Sequence, residues 1–211
     1  MKIIAVASSK GGSGKSTLVR GLSVHAALDG LRVLLVDLDP QQTTAKWWSK
    51  NERKNPVVGD VGAKRDLSML SGLDFDLILI DTPPEHELTW RTHEAVRVSD
   101  LVLVPVRPSP DDIDAAGLSV TAALSAKKPF AFVPSQTTFR ASLVGDLIAA
   151  LAEHGPVLPA LVQRQDIPKA HQFGKVPVDL KPSCDAASEM RALWWSISEM
   201  LKIEKTGVVR L

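Results

Sequence analysis

The sequence lacks several features that define large classes of protein. Its 211 residues include one cysteine, Cys184, which excludes an internal disulfide and a metal site built from several cysteines. A lone thiol is typical of a protein in a reducing compartment. No apolar run approaches the ~20 residues of a membrane-spanning helix. The opening stretch IIAVA is also shorter than the apolar core of a secretory signal, so we expect no such signal.

An excess of charge of either sign is also missing. The formal net charge is +1, with 25 Lys and Arg against 24 Asp and Glu. The whole molecule therefore has no strong electrostatic attraction to nucleic acid or anionic lipid, although a local basic patch is compatible with this balance. The composition, 45% hydrophobic and 23% charged, is ordinary for a globular protein. The length suits one domain, and we take residues 1–211 as that domain.

Short apolar runs alternate with amphipathic stretches along the chain. Strands are predicted at 2–8, 32–38, 76–81, 101–106, 130–135 and 158–162, and helices at 15–29, 87–98, 111–126, 140–154 and 184–202. Several of the strands are apolar at nearly every position, which is typical of a parallel sheet covered on both faces. The pattern predicts a doubly wound α/β fold with a mostly parallel sheet and helices on both faces. The polar stretch 50–66 is expected to be a surface excursion.

A glycine-rich loop lies between the first predicted strand and the first predicted helix. Its sequence is KGGSGKST, residues 10–17. Glycines let backbone N–H groups surround phosphate oxygens, Lys15 would reach the β- and γ-phosphates of ATP, and the Ser16 hydroxyl would coordinate Mg²⁺. The general pattern G-x-x-x-x-G-K-[ST] has a glycine where this chain has Ser9, so a glycine-rich turn without a ligand is the alternative. The predicted nucleotide-binding residues are Lys10, Gly11, Gly12, Ser13, Gly14, Lys15, Ser16 and Thr17.

Acidic residues follow two of the predicted strands. Asp37 and Asp39 end the run VLLVDLDPQQ, and Asp81 ends the run DLILID. Carboxylates at the carboxyl edge of a parallel sheet face the ligand crevice, and an aspartate in the position of Asp81 can hold a Mg²⁺-bound water. For the pair before Pro40, the alternative is a simple Asx turn.

The loop resembles the deviant phosphate loop of the ParA/MinD family of ATPases, because Lys10 precedes the two glycines of K-G-G-x-G-K-S. In that family the early lysine contacts ATP bound to the partner subunit of a dimer. The resemblance therefore implies catalytic roles for Lys10 and Lys15. The segment DLDPQ resembles the first switch of the same family, which implies that Asp39 orients the attacking water. Asp37, Ser16 and Asp81 would support the Mg²⁺ ion.

Two further segments resemble the family. The stretch 99–117 is similar to that of short, ParF-type partition ATPases, which implies that Pro108, Ser109 and Pro110 contribute to the dimer interface. In this stretch we expect Asp112 to cap the helix that follows. The stretch 162–179 resembles a degenerate form of a segment that helps frame adenine and offers basic residues to DNA. The implied DNA contacts are Arg164, Lys169 and Lys175, and a solvated basic face is the alternative.

Together these resemblances imply a partition-type ATPase with ATP and Mg²⁺ as cofactors. Such a protein forms an ATP-dependent homodimer, binds double-stranded DNA nonspecifically, and works with a ParB-like or other DNA-binding adaptor. It would be cytoplasmic and associated with the bacterial nucleoid, and it would move a plasmid, a chromosome locus or other cargo. We expect no membrane binding, because the final stretch 198–211 is a poor amphipathic helix.

Other functions remain open from the sequence. A VirC-type accessory of DNA transfer has a related loop, and so does a MinD-like spatial regulator. An ATP-gated DNA-binding scaffold with negligible hydrolysis would share the same residues. A reductase or iron–sulfur carrier of this superfamily needs cysteines that this chain lacks.

Overall fold

A computed structural model describes residues 1–61, 66–84, 89–138 and 141–204 of the chain. The described residues form one six-stranded sheet in which every pair of neighbouring strands is parallel, in the order β3-β2-β4-β1-β5-β6. The strands are β1 Lys2–Val6, β2 Val33–Asp37, β3 Val57–Gly59, β4 Leu77–Asp81, β5 Leu101–Val106 and β6 Phe130–Pro134. The predicted fold class is therefore confirmed.

Helices cover both faces of this sheet. They are α1 Lys15–Leu28, α2 Thr43–Trp48, α3 Trp90–Val98, α4 Pro110–Ser125, α5 Ala141–Ala152, α6 Asp166–His171, α7 Pro177–Leu180 and α8 Asp185–Leu201, with a 3-10 helix at Ser68–Gly72. Successive side chains of β1 enter different clusters: Ile4 packs with Leu18 of α1 and Trp194 of α8, whereas Ile3 packs with Ala95 of α3. This burial on both faces explains why the strands are apolar throughout.

The connections place three chain segments at one edge of the sheet. β1 lies between β4 and β5, and β4 lies between β1 and β2. At the carboxyl ends of these strands, Val6 is opposite Asp81, and Asp81 is opposite Asp37. The loop after β1 and the two aspartates are therefore neighbours in space. In open parallel sheets, this edge at a change in strand order is where ligands bind.

One strand prediction was wrong, and one strand was not predicted. The stretch 158–162 is not a strand of the sheet; within it, Val162 makes an isolated bridge with Thr137. Pro159 lies inside the stretch and has no N–H group with which to extend a ladder. Conversely, the excursion 50–66 contains the edge strand β3. The side chain of Asn55 precedes it and is hydrogen-bonded to the backbone of Leu31 and Val33.

The helix predictions fall within a few residues of the observed bounds, but α2, α6 and α7 were not predicted. In the segment that contains α6 and α7, prolines interrupt the helical pattern. The prediction about the last stretch, 198–211, is only partly covered. α8 ends at Leu201, and residues 205–211 lie outside the described part of the chain. Among the described helices, none combines the length and apolar character that a bilayer crossing requires.

We expect His25, on α1, to make stability depend on pH. The side chain is 4% exposed. Burial, with repulsion from Arg191, lowers its pKa to about 4. The unfolded chain binds this proton below pH ~6.5 and the folded chain only below about 4, so the folded state loses stability as the pH falls between these values. Between pH 7 and pH 5 this loss is ~2 kcal/mol.

The measurement is urea unfolding at both pH values. His25→Gln should lose ~2 kcal/mol less than the unsubstituted protein over this interval. Comparing the two proteins cancels the contribution of other titrating groups. His154 is exposed, so the same substitution there is the matched control and should leave the pH dependence unchanged. An unchanged pH dependence in His25→Gln would contradict the assignment.

Candidate functional site

The loop between β1 and α1 has a backbone that requires glycine at two positions. Gly12 has φ 72° and Gly14 has φ 101°, conformations that are costly for other residues. Gly14 is also the N-cap of α1, so the partial positive charge of this helix terminus adjoins the loop. Loops of this type present backbone N–H groups to anions.

Lys15 is folded into this loop. Its side chain is buried, and Nζ donates to the carbonyl oxygens of Ser8 at 3.1 Å and Lys10 at 3.2 Å. A buried ammonium needs such acceptors, and these carbonyls hold it within the curve of the loop. The residue is thus placed beside the position that a phosphate would take in a loop of this type.

The segment after β6 supports the loop from the other side. The Ser135 hydroxyl donates to the carbonyl of Ser13 at 2.7 Å, and the Gln136 amide donates to the carbonyl of Gly12. Neither residue was predicted to belong to the site, because Ser135 ended a predicted strand and Gln136 followed it. No motif spacing marks them, since their contact depends on where β6 lies in the sheet.

Two connected pockets lie at the loop. The first, of about 280 Å³, is lined by Gly12–Thr17 together with Asp39, Thr43, Pro84 and Gln136. The second, of about 240 Å³, shares Gly14, Thr17 and Gln136 with it, and its remaining lining combines apolar side chains, such as Leu18 and Ile167, with polar ones, such as Gln163. The first pocket can take a phosphate chain, and the second, with apolar and polar surface, can take a flat ring with polar edges.

The aspartates that end β2 and β4 differ in environment. The carboxylate of Asp37 accepts backbone N–H groups from Asp39, Thr44 and Ala45 at 2.9–3.0 Å, at the start of α2. Burial raises the pKa of Asp37, and these backbone hydrogen bonds oppose the shift. The charge of Asp37 thus helps to fix the start of α2.

Asp81 is almost completely buried. Its Oδ2 accepts a hydrogen bond from the Thr44 hydroxyl at 2.7 Å, whereas Oδ1 has no hydrogen-bond partner among the described residues. Burial raises the pKa of Asp81 to about 6, and the hydroxyls of Thr44 and Ser16 oppose this shift. A buried carboxylate oxygen without a donor is costly unless a water, proton or cation completes it.

These residues fit a magnesium ion. Asp81 offers a carboxylate oxygen without a hydrogen-bond partner among the described residues. Ser16, at the start of α1, offers a hydroxyl that lies 3.4 Å from the hydroxyl of Thr43, at the start of α2. Within the described residues, no cluster of three His, Cys, Asp or Glu side chains is arranged to hold a metal. Mg²⁺ is commonly bound by only one or two protein oxygens, with water and phosphate oxygens completing its shell.

Asp39 lies on the loop that leads to α2. It is half-buried, and its carboxylate accepts the N–H of Gln41 at 2.9 Å. This is the Asx turn that the sequence left open as an alternative. Asp39 also contributes a carboxylate to the lining of the first pocket. The turn and the pocket position are therefore both present.

Lys10 is not among the residues that line the first pocket. Its Nζ lies 3.6 Å from the carboxylate of Asp111 and 3.8 Å from that of Asp112, both in the first turn of α4. Asp112 is in turn held by the Arg107 guanidinium at 2.8 Å. The two lysines of the loop thus have different surroundings: carbonyl oxygens for Lys15, and carboxylates for Lys10.

The phosphate loop has a further contact with α4. The hydroxyl of Ser9 donates to the backbone carbonyl of Ala115 at 3.0 Å. Ser9 stands where the general pattern has glycine. The departure from that pattern therefore adds a hydrogen bond between the loop and the helix that carries the acidic partners of Lys10.

The proline segment leads directly into α4. Pro108 and Ser109 are half-buried, and Pro110 is exposed at the first turn. The expectation that Asp112 caps this helix was wrong. Ser109 is the N-cap, since its hydroxyl oxygen accepts the N–H of Asp112, whose carboxylate binds Arg107 instead.

The three predicted DNA contacts do not share one environment. Arg164 lines the second pocket, and its guanidinium pairs with Asp185 at 2.8 Å and Glu189 at 2.6 Å. Lys169 on α6 and Lys175 after it are exposed.

Lys175 also lines a broad groove. Lys50 and Arg53, two basic residues that the sequence analysis did not single out, line it as well, and so does the exposed ring of Phe173. Arg53 is paired with Asp179. The two lysines of the groove are Lys50 and Lys175.

Comparisons with known proteins agree with this geometry. The model of the CobQ/CobB/MinD/ParA nucleotide binding domain matches residues 4–178. Protein ParA of Rhizobium radiobacter is 30% identical over 186 residues, which are 82% of this chain and 84% of that protein. Maintenance of carboxysome distribution protein A of Halothiobacillus neapolitanus is 31% identical over 175 residues, 78% of this chain and 80% of the relative.

A solved structure shows the same fold. The cell division ATPase MinD of Pyrococcus furiosus superposes with a TM-score of 0.79 at 20% sequence identity, over 94% of this chain and 99% of that one. The family match spans the phosphate loop, the three aspartates Asp37, Asp39 and Asp81, and the proline segment. This chain therefore belongs to the ParA/MinD family of nucleotide-binding proteins, whose members are P-loop ATPases.

Proposed function

We propose that this protein is a ParA-type ATPase, contained in one domain of residues 1–211, that partitions or positions a large cargo. It binds Mg²⁺ and ATP, forms an ATP-dependent homodimer, binds double-stranded DNA nonspecifically, and hydrolyses ATP slowly until an adaptor protein stimulates it. The observation that carries this proposal is the division of the loop's two lysines. Lys15 is buried within the loop, and Lys10 lies outside the pocket with its side chain 32% exposed.

Lys15 serves the nucleotide of its own chain. Its ammonium exchanges the carbonyl oxygens of Ser8 and Lys10 for phosphate oxygens, so the charge is already positioned before ATP arrives. Backbone N–H groups of Gly12–Lys15 and the start of α1 provide further donors. Ser16 would hold Mg²⁺ directly, with Asp37 and Asp81 in support, and the ion would neutralise negative charge on the phosphates.

Lys10 serves the nucleotide of the partner chain. In the described structure its Nζ lies near Asp111, whose side chain is exposed, and near the buried Asp112, which is already paired with Arg107. The exposed pair with Asp111 contributes little free energy. A triphosphate carries a denser negative charge than these two carboxylates, so Lys10 can be transferred to it when two chains meet. ADP lacks the γ-phosphate, which makes dimerisation depend on ATP. The proline segment, Pro108–Pro110, lies on the same side as α4 and completes this interface.

Asp39 orients the water that attacks the γ-phosphate. It supplies a carboxylate to the lining of the phosphate pocket, to which Thr43 and Pro84 also contribute. A carboxylate at this position accepts a proton of the water and directs the oxygen toward phosphorus. Because Gln41 already engages one carboxylate oxygen, the turn limits the orientations that Asp39 can take.

The positioning role follows from the relatives rather than from the site. The two relatives are named protein ParA and maintenance of carboxysome distribution protein A. On this chain, the surface offered to DNA is the exposed lysines near α6, because Arg164 is already neutralised by two carboxylates. Dimerisation doubles this surface, which compensates for the near-zero net charge.

Substitution of Asp39 separates hydrolysis from assembly. Asp39→Ala should still dimerise with ATP, while phosphate release falls by at least ~100-fold, because the water loses its acceptor. Phosphate release with saturating Mg²⁺–ATP is the measurement, and Asp114→Ala on α4 is the matched control. Normal hydrolysis in Asp39→Ala would show that another group orients the water. Negligible hydrolysis by the unsubstituted protein with every adaptor would favour an ATP-gated scaffold.

Substitution of the two lysines should have different effects. Lys15→Ala should lose binding of a fluorescent ATP analogue to the monomer. Lys10→Ala should keep this binding but stay monomeric with ATP, because its target is in the other chain. Molar mass by light scattering is measured with ATP and with ADP, in an Asp39→Ala background that prevents turnover. A Lys10→Ala protein that dimerises as the parent does would rule out its role in trans.

DNA binding should depend on salt and on the two exposed lysines. With ATP, affinity for arbitrary duplex DNA should fall steeply as salt rises. If Lys169 and Lys175 each contact one phosphate per chain, replacing both with alanine should lower the salt slope of a dimer by ~3.6. Lys127→Ala, after α4, is the control and should not change the slope. Absence of DNA binding at low salt would favour a MinD-like regulator.

A further inference from the structure

Arg20 is a half-buried cation near the nucleotide site with no role in the function proposed so far. It lies on α1, and its Nε donates to the hydroxyl oxygen of Thr44 at 3.2 Å. The same hydroxyl donates to Oδ2 of Asp81 at 2.7 Å. Thr44 is 0% exposed and Asp81 is 1% exposed, so water does not compete for these contacts.

The direction of these hydrogen bonds is set by chemistry. A guanidinium can only donate, so Thr44 must accept from Arg20. A threonine hydroxyl has one proton, and that proton is therefore free to go to Asp81. Because Oδ2 is then occupied, the remaining oxygen of Asp81 is Oδ1, which has no hydrogen-bond partner among the described residues. Arg20 thus acts on Asp81 through a single intermediate group.

Two aromatic side chains hold the guanidinium of Arg20 in place. Its Nη1 lies 3.5 Å from Nδ1 of His171 on α6, and its central carbon lies 5.6 Å from the centre of the Trp47 ring. Trp47 is itself fixed, since its indole N–H donates to the carbonyl of Lys175 at 3.1 Å. A charged group between an aromatic face and a polar partner has little freedom to move.

Arg20 also compensates charge. Asp37 and Asp81 lie side by side at the ends of β2 and β4, and both interact electrostatically with Arg20. Two adjacent carboxylates repel each other in a buried setting, and a fixed cation behind them reduces that repulsion.

We propose that Arg20 is a positioning residue for the metal site, which acts through Thr44 to hold Asp81 with Oδ1 free for Mg²⁺-bound water. This inference rests on the proposed function, because it assumes that the ion accompanies ATP. Groups that orient the ligands of a metal commonly change metal affinity by ~10–100-fold when removed. Arg20 therefore affects the ion, while Lys15 and the loop hold the phosphates.

The test measures Mg²⁺ affinity rather than turnover. A fluorescent ATP analogue is bound to the protein, and Mg²⁺ is titrated from an EDTA-treated start. Arg20→Met and Thr44→Val should each raise the Mg²⁺ concentration at half-saturation by ~10-fold, while affinity for the analogue in EDTA stays unchanged. Both substitutions interrupt the same chain of contacts, so the double variant should need no more Mg²⁺ for half-saturation than either single variant.

Two conservative variants and one control sharpen the comparison. Arg20→Lys keeps a donor and a charge and should recover part of the affinity, and Thr44→Ser keeps the hydroxyl and should recover most of it. Arg32→Met is the matched control. Arg32 pairs with Asp76, beside the other end of β4, so its loss should leave Mg²⁺ affinity unchanged. If Arg20→Met does not fold, as judged by urea unfolding, the pair Thr44→Val and Thr44→Ser carries the test.

Several results would overturn the proposal. These are unchanged Mg²⁺ affinity in folded Arg20→Met or in Thr44→Val, additive losses in the double variant, and an equal loss of nucleotide affinity in EDTA, which would indicate a merely structural role. A different result would overturn the proposed function itself. If Mg²⁺ had no effect on nucleotide binding by the unsubstituted protein, magnesium dependence would be wrong, and the role of Arg20 would fall with it.

Discussion

The hydrogen-bonded register of three parallel strands is the constraint on which the site depends. Val6, Asp81 and Asp37 face one another across β1, β4 and β2, so the phosphate loop and both carboxylates meet at one edge. A slip of one residue would turn every buried side chain of a strand to the opposite face. Because both faces of the sheet are covered, the packing of the core fixes the separation of the site's charged groups.

Continuous apolar runs were sufficient to predict β1, β2, β4, β5 and β6, because strands buried on both faces need such runs. The loop and the aspartates followed from their position after those strands. The support of the loop by Gln136 was not predictable, since it depends on the order of strands in space. Thr44 and Arg20 are 24 residues apart, and neither belongs to a motif. The stretch 158–162 was wrongly predicted to be a strand because its apolar residues were given more weight than Pro159.

The two lysines of the loop have the same side chain but different environments. Lys15 and Lys10 are five residues apart, yet the Nζ of Lys15 donates to carbonyl oxygens, whereas that of Lys10 lies near the exposed carboxylate of Asp111 and the buried carboxylate of Asp112. A neutral acceptor holds an ammonium without cancelling its charge, whereas a carboxylate offsets part of it.

Ser9 makes a hydrogen bond between the loop and α4 that the glycine of the general pattern could not make. Its hydroxyl is hydrogen-bonded to the carbonyl of Ala115, in the middle of α4, and the first turn of the same helix carries Asp111 and Asp112. α4 therefore contacts the loop at two points, the side chain of Ser9 and the side chain of Lys10. Restoring the glycine of the general pattern at position 9 would remove one of these points. Ser9 therefore helps to fix the loop against α4, and a glycine at this position would loosen the loop.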